Sequence, residues 1–551
     1  MPSDCAMRAE GENTMTSNRN RALLIVAAVF TTAVLALYNG PALRANPGDT
    51  SQLQEHIRNL TNVLSIVQQD YAIPVDTDRA LYEGAIPGML RVLDPHSTFF
   101  DPRQYALIRE GQRGKYYGVG MTIGVRQNHT VVLAPMVGSP ASKAGIRPGD
   151  IISTIEGKSA EGLSTSEVAD QLKGPKGTTV HVGMIREGES APLTFALTRD
   201  EIPRHAVDVA FMPRPGIGYI RLTGFESEDA DTDVAAALKE LDVAKLDGLV
   251  LDLRGNPGGL LDKAVAIADM FLDKNQLIVS HHGRASQERR YYAVHGNRGV
   301  QVPLVVLVNG GSASASEILS GAIQDHDRGL VVGEQTFGKG LVQSVTPLSE
   351  NTGLALTTAR YYTPSGRLIQ RDYKDVSLYD YLYNHKNPQP TEVKLTDSGR
   401  QVYGGGGITP DVSVAPPKAN DFQESLLRHD VFFPFEGSVG GFTTYFLGTK
   451  PQVTKNFEVS DAVVADFRRY LDKEDIHYTD ADITNNLDWI KQQIKKEVFI
   501  SMFGLPTGDE VALENDPQVQ KAIDTLPQAR ALYDNARHVL AQRVASPFAQ
   551  P

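Results

Sequence analysis

PLVVLVNGGSASASEILSGAIQDHDRGLVVGEQTFGKGLVQ, Pro303 to Gln343, reads as an apolar strand, a glycine turn, a helix and a second apolar strand. The run from Leu304 to Val308 has no polar residue, as a strand needs when both faces of its sheet are covered. Ala315, Ile318, Leu319, Ala322 and Ile323 recur at spacings of three and four, which predicts a helix with one buried stripe. Ser312, Ser314 and Ser316 therefore stand at or before the first helical turn, where unpaired N–H groups converge and would serve as oxyanion donors. The same letters also satisfy a capping box, with Ser314 at the N-cap and Glu317 three residues on. Spacing does not choose between a cap and a nucleophile. Lys339, set between Gly338 and Gly340 beside Phe337, is an odd place for a solubilising charge. A lysine deprotonates a serine only when burial or a neighbouring cation disfavours its ammonium form.

Other chemistries fit this stretch poorly. GEQTFGKG from Gly333 nearly matches a phosphate-binding loop, but Gly340 occupies the place of the Mg²⁺-binding hydroxyl, and LVQSVTPL beyond it alternates like a strand. His326, flanked by Asp325 and Asp327, is a candidate for a Ser-His-Asp arrangement, yet it lies about 18 Å from Ser314 if the helix is continuous. His281 and His282 have no carboxylate at metal-ligand spacing and no HExxH occurs, so a solvent-facing pair is expected, with no metal and no cofactor.

Upstream, IGYIRLTGF, DTDVAAALKELDV, KLDGLVLDLRGNPGG and LLDKAVAIADMFL alternate strand and helix, which extends an α/β core over residues 201–415. Residues 114–200 break into short β runs with glycine turns. This stretch resembles a PDZ domain, carried by Gly118, Val119 and Gly120 at the carboxylate-binding loop and by SPASKAGIRPGD from Ser139 to Asp150. Such domains add a peptide C-terminus as an extra strand and hold its carboxylate with backbone N–H groups. Residues 51–113 carry helical spacing through Leu60, Val63, Ile66 and Val67, then Leu81, Ala85, Met89 and Leu93, and end in LDPHSTFFDP. Asp94 and His96 in that segment are candidates for a site, but a turn stabilised by the Asp-Pro pair is the preferred reading. Residues 416–551 are mostly helical with no motif. Their patch VFFPFEGSVGGFTTYFLG is either core or a docking surface for a second copy.

With 551 residues the chain exceeds one ordinary core. Its net charge of −12 argues against nucleic acid as a bulk partner. Ala22 to Tyr38 is apolar and uncharged, at the lower limit for a membrane span, and Arg19 and Arg21 precede it. The expectation is a cytoplasmic segment 1–21, a transmembrane anchor or signal segment 22–38, and a catalytic part in the periplasm or otherwise outside the cytoplasm of a bacterial envelope. A buried core helix and a signal cleaved after Ala45 are the alternatives. Cys5 is the only cysteine, so the exported part has neither a disulfide nor a thiol nucleophile.

LDPHS, SPASKAGIRPGD, DLRGNPGG, NGGSASASEILSGAIQDHDRG, GEQTFGKGLVQ and GGGITPDV together resemble the carboxy-terminal processing proteases, the tail-specific serine endopeptidases, over about residues 60–415. The resemblance implies Ser314 as nucleophile, Lys339 as general base and Gln343 as the residue that orients the lysine. It also implies oxyanion donors at Ala315 and at Gly258 or Gly259. The fold implied is multidomain α+β: a helical N-terminal module, a PDZ-like β module, an α/β crotonase-like protease core and a mostly helical C-terminal extension. Its partners would be proteins with free, apolar C-termini, the membrane through the N-terminal segment, and a second copy through the extension. A catalytically inactive, membrane-anchored PDZ scaffold and a small-ligand-binding core are the competing readings.

Overall fold

The computed structural model describes residues 47–545, apart from residues 127, 187–188, 298–300, 375, 384–391, 434–440 and 450. The chain forms two compact units, Met1–Ile86 and Pro87–Pro551. In the first, the helix Pro47–Asp70 is followed by Thr77–Arg79, which Asp76 caps by accepting the amides of Asp78 and Arg79. Leu53, Ile57, Leu60 and Val63 on the long helix are exposed.

The anchor expected at Ala22–Tyr38 lies outside the described residues. Among the described residues no helix is long and apolar enough to cross a membrane. Pro47–Asp70 is interrupted by Glu55 and Arg58, and Pro517–Ala545 by Lys521, Asp524 and Arg530, so water suits both better than hydrocarbon. The transmembrane segment, the membrane as partner and the membrane-anchored location are corrected accordingly.

In the second unit, five antiparallel strands, Met121–Arg126, His129–Pro135, Ile151–Ile155, Thr179–Ile185 and Leu193–Thr198, pair in chain order. Their apolar side packs with the helix Thr165–Leu172 around Val132, Ile152, Val168, Val180 and Val182. Lys115–Gly118 pairs with Asp200–Pro203, so the chain enters and leaves this β-rich region side by side. Met121–Arg126 is an edge strand.

The next sheet holds the Gly258 and Ser314 turns in position. Ile217–Leu222, Gly248–Asp252, Leu304–Val308, Leu330–Gly333 and Val412–Ser413 run parallel in sequence order, with Val207–Arg214 antiparallel at one edge. Strand side chains alternate between faces. Leu304, Val306 and Val308 accordingly join one apolar cluster with the helices Ala230–Glu240, Leu261–Asp269 and Ala315–Asp325. Val305 and Leu307 join another, covered by Val519, Ala522, Ile523 and Leu526 of the helix Pro517–Ala545. The unbroken apolar run thus serves two cores.

A second, antiparallel sheet brings Thr98–Phe100 and Leu341–Pro347 onto the long strand Gly353–Tyr362. The remaining C-terminal helices enclose a core of Phe432, Phe442, Phe446, Phe467 and Tyr470, which takes up most described aromatics of the VFFPFEGSVGGFTTYFLG patch, while Phe433 packs on Val131 and Ile151. The molecule is multidomain α+β, with a β-rich PDZ-like region and flanking helical segments.

Candidate active site

The turn after Leu304–Val308 separates the three serines. Ser312 Oγ donates to the Leu253 carbonyl at 2.7 Å and accepts the Asn309 amide at 3.0 Å. Ser316 Oγ donates to the Asn256 carbonyl at 2.9 Å. Both are fully buried and fasten the helix start to the DLRGNPGG turn. Ser314 differs, because its backbone sits at φ 54° and ψ −111°, a region L-residues rarely occupy. Its amide donates to Glu317 Oε2 at 2.8 Å, while its carbonyl accepts the Glu317 and Ile318 amides at 2.9 and 3.0 Å and Tyr361 Oη at 3.1 Å. These bonds hold the strained backbone in place. The Ser314–Glu317 pair has the placement of a capping box, but no cap hydrogen bond ends on the serine side chain.

Glu317 is a hub rather than a simple helix cap. Fully buried, it accepts from Thr336 Oγ1 at 2.5 Å and from the amides of Gly338 and Lys339 at 2.7 and 2.9 Å, in addition to Ser314. Burial pushes its carboxyl up, and those four donors pull it down. One carboxylate therefore ties the serine turn to the lysine turn. Tyr361 repeats the link, donating also to the Lys339 carbonyl.

Lys339 Nζ donates to Gln343 Oε1 at 2.8 Å. Burial holds its ammonium below the usual lysine range, although Glu317 and Asp94 pull it upward. Gln343 follows a register shift between Val342 and Gln343, the kind of irregularity that re-aims a strand side chain. Its Nε2 donates to the His96 carbonyl at 2.6 Å. That carbonyl belongs to a turn built on Asp94, whose Oδ1 accepts the amides of His96 and Ser97, both at 2.8 Å. The His96 ring contacts Tyr381 Oη at 2.8 Å, and burial, then the Lys339 charge, pushes it down to about 4. The turn expected in LDPHS is present, and it also holds the far end of the lysine's hydrogen-bond chain. Sequence spacing gave no sign of this, since 247 residues separate His96 from Gln343.

The glycine turn approaches from the other side. Gly258 has φ 99°, and a side chain there would fall 2.7 to 2.8 Å from Ala313 O, Ala315 N and Ser314 Cβ, so only glycine fits. Its amide donates to Asn256 Oδ1 at 2.9 Å. Gly259 forms a parallel bridge with Phe225, in which Phe225 N bonds Gly258 O and Leu260 N bonds Phe225 O. That pattern directs the Gly259 N–H away from Phe225. Among the described residues neither this amide nor that of Ala315 has a protein acceptor. Ser314, Lys339, Gln343, Gly258 and Gly259 all line one cavity of about 580 Å³, walled by Leu107, Ile318 and other aliphatic side chains.

The remaining sequence candidates lie elsewhere. His326 bonds Asp397 Oδ2 and the Leu277 carbonyl, both at 2.7 Å, and ends the helix that Ser314 begins. His281 is buried, with Nε2 3.2 Å from Tyr291 Oη, while exposed His282 stacks on Tyr362, which corrects the expected solvent-facing pair. In the β-rich region, Gly120 has φ 73° and packs against Ser139 and Ile202. The Val119 carbonyl accepts Ala141 N at 2.9 Å and the Gly120 carbonyl accepts Ser139 Oγ at 2.7 Å. Among the described residues the Val119 and Gly120 amides have no acceptor.

Residues 216–376 match the model of peptidase family S41, and residues 131–186 match the model of the PDZ domain. A carboxy-terminal-processing protease of Bartonella bacilliformis is 39% identical over 354 residues, covering 64% of this chain and 80% of the relative. A carboxyl-terminal-processing protease of Synechocystis is 42% identical over 293 residues, covering 52% and 68%. The solved structure of a photosystem II D1 C-terminal processing protease aligns at 34% identity and a TM-score of 0.33, over 63% of this chain and 84% of that one. With identity sustained across four-fifths of a relative and both family models matched, the chain belongs to peptidase family S41, as a carboxy-terminal-processing serine endopeptidase with a PDZ domain.

Proposed function

We propose that Ser314 is the nucleophile, Lys339 its general base and Gln343 the residue that orients the lysine, with the amides of Ala315 and Gly259 as oxyanion donors. Neutral Lys339 takes the Ser314 proton, and the alkoxide adds to the scissile carbonyl. The two amides stabilise the oxyanion, and the lysine ammonium protonates the departing amine. Water then hydrolyses the acyl-enzyme by the same proton route. Of the two glycines, Gly259 suits the donor role because the Gly258 amide already bonds Asn256. Gly258 contributes the close approach that a side chain would block.

The observation that carries this reading is the half-buried lysine held by Gln343. Desolvation favours the neutral amine a base requires, and Gln343 holds it in the cavity that Ser314 lines. Gly118, Val119 and Gly120 form the carboxylate loop of the PDZ module, with the edge strand Met121–Arg126 receiving an extended, apolar C-terminal tail. The divisions 51–113, 114–200, 201–415 and 416–551 are the functional modules, the last lending its helix Pro517–Ala545 to the sheet of the third. The sequential parallel strands of the third support a crotonase-like core.

The test is cleavage of an unfolded protein with a free apolar C-terminus by the purified chain, beside Ser314→Ala and Lys339→Ala. Both variants are expected to stay folded and to lose about 10³-fold or more in kcat/KM. Cleavage that survives Ser314→Ala overturns the assignment. Equal rates on free and amidated C-termini overturn the role of the PDZ loop.

A further inference from the structure

The cavity over Ser314 adjoins a second of about 970 Å³, walled by Thr122 and Met136 of the PDZ module, by the connecting segment through Ile202 and by Leu505 of the helical extension. Only Gly111 and Glu226 line both. Glu226 is exposed, on a backbone anchored beside the glycine turn. Its neighbour Phe225 forms the bridge to Gly259, and its carboxylate folds over Gly224, where a side chain would collide with Oε2.

Charge sets Glu226 apart from the other acids there. In the larger cavity Asp200 pairs with Lys176, Glu201 with Lys115 and Asp208 with Arg221. The basic side chains of that wall have acidic partners too, Arg204 in Glu110 and His205 in Asp233. Among the described residues Glu226 is the only acid lining the Ser314 cavity, and no cation pairs with it. Partial desolvation pushes its carboxyl up, while the side chain stays open to the cavity.

We propose that Glu226 is a specificity subsite that binds a lysine or arginine side chain of the substrate on the C-terminal side of the scissile bond. The side follows from chain direction. A tail held at Gly118–Gly120 leads back toward Ser314 as the C-terminal flank, and Ser139, which bonds the Gly120 carbonyl, lines the larger cavity. The inference rests on the proposed roles of Ser314 and of the PDZ loop.

The experiment uses peptides with one fixed scissile bond and one free apolar C-terminus, carrying Lys, Gln or Glu at each position on either side of the bond. Wild type is expected to favour Lys over Glu by about fivefold in kcat/KM at one C-terminal-side position, a ratio that shrinks with added salt. Glu226→Gln should bring that ratio close to one, and Glu226→Lys should invert it. The ratio is read within each enzyme, so a general loss of activity does not mimic the effect. The absence of any charge preference in wild type, a preference confined to the N-terminal side, or one that persists in Glu226→Gln overturns the subsite. If wild type cuts none of the peptides, the serine–lysine reading fails and the subsite with it.

Discussion

The inner face of the core sheet is covered by Ala230–Glu240, Leu261–Asp269 and Ala315–Asp325, helices that directly follow its strands, whereas the outer face waits for Pro517–Ala545, long after the last strand ends at Ser413. Both faces are apolar, and alternate residues of the same strands line them. Yet the inner layer ends at Ser314, while the outer layer is tied to the glycine turn through Arg254. That guanidinium bonds Asp252 and reaches Asp516 and Gln518 at 2.8 Å each, which pins the start of the C-terminal helix to the turn that carries Gly258 and Gly259. Under the proposed assignment of Ser314, the difference separates stability from catalysis in one sheet, since burial energy depends on covered area and catalysis on the position of a few atoms.

The sharpest way to break this comparison is to remove residues 517–551. Val250, Val305, Leu307 and Val332 would be left facing water, and the expected outcome is a chain with no cooperative unfolding transition and no soluble protease. A truncated protein that stays folded and cuts would show that the outer layer is dispensable. Leu526→Ala tests the same layer at one side chain, which packs directly over Gly248. It is expected to cost about 2–4 kcal/mol in denaturant unfolding while the folded enzyme keeps its kcat/KM. A parallel fall in kcat would mean that the layers are coupled more tightly than Arg254 implies.

The smallest expected effect is on the inner side. Asp94→Ala frees the turn that presents the His96 carbonyl to Gln343, and about a tenfold loss in kcat with little change in KM is expected. A pH profile separates positioning from simple loosening. Wild-type activity should rise with pH as Lys339 becomes neutral, and the Asp94 charge pulls the lysine toward its protonated form. Removing that charge should move the acid limb to lower pH, whereas an unmoved limb would leave Asp94 a purely structural turn residue.

How legible each part was follows from its range along the chain. The inner layer was readable because strand, turn and helix are consecutive from Pro303 to Gln343, so periodicity and glycine placement report local geometry. The capping-box reading of Ser314 and Glu317 located the right pair but not the role of the acid, because a local pattern cannot reveal that Thr336, Gly338 and Lys339 converge on it. Asp94 and His96 were legible as a turn and not as support for Gln343. The C-terminal helices, without a motif, gave no sign that they cover the sheet or that Leu505 walls the second cavity.

By itself, then, the sequence determined the class of the molecule: the PDZ-like repeat of short strands, the alternating strands and helices, the family motifs and the short list of serine, lysine and glutamine. Only the tertiary structure decided which serine keeps its hydroxyl out of the scaffold, which glycine amide is left over, and how the lysine is partly desolvated. Those outcomes depend on hydrogen bonds and desolvation between segments far apart in the chain, and spacing along a sequence carries no measure of either.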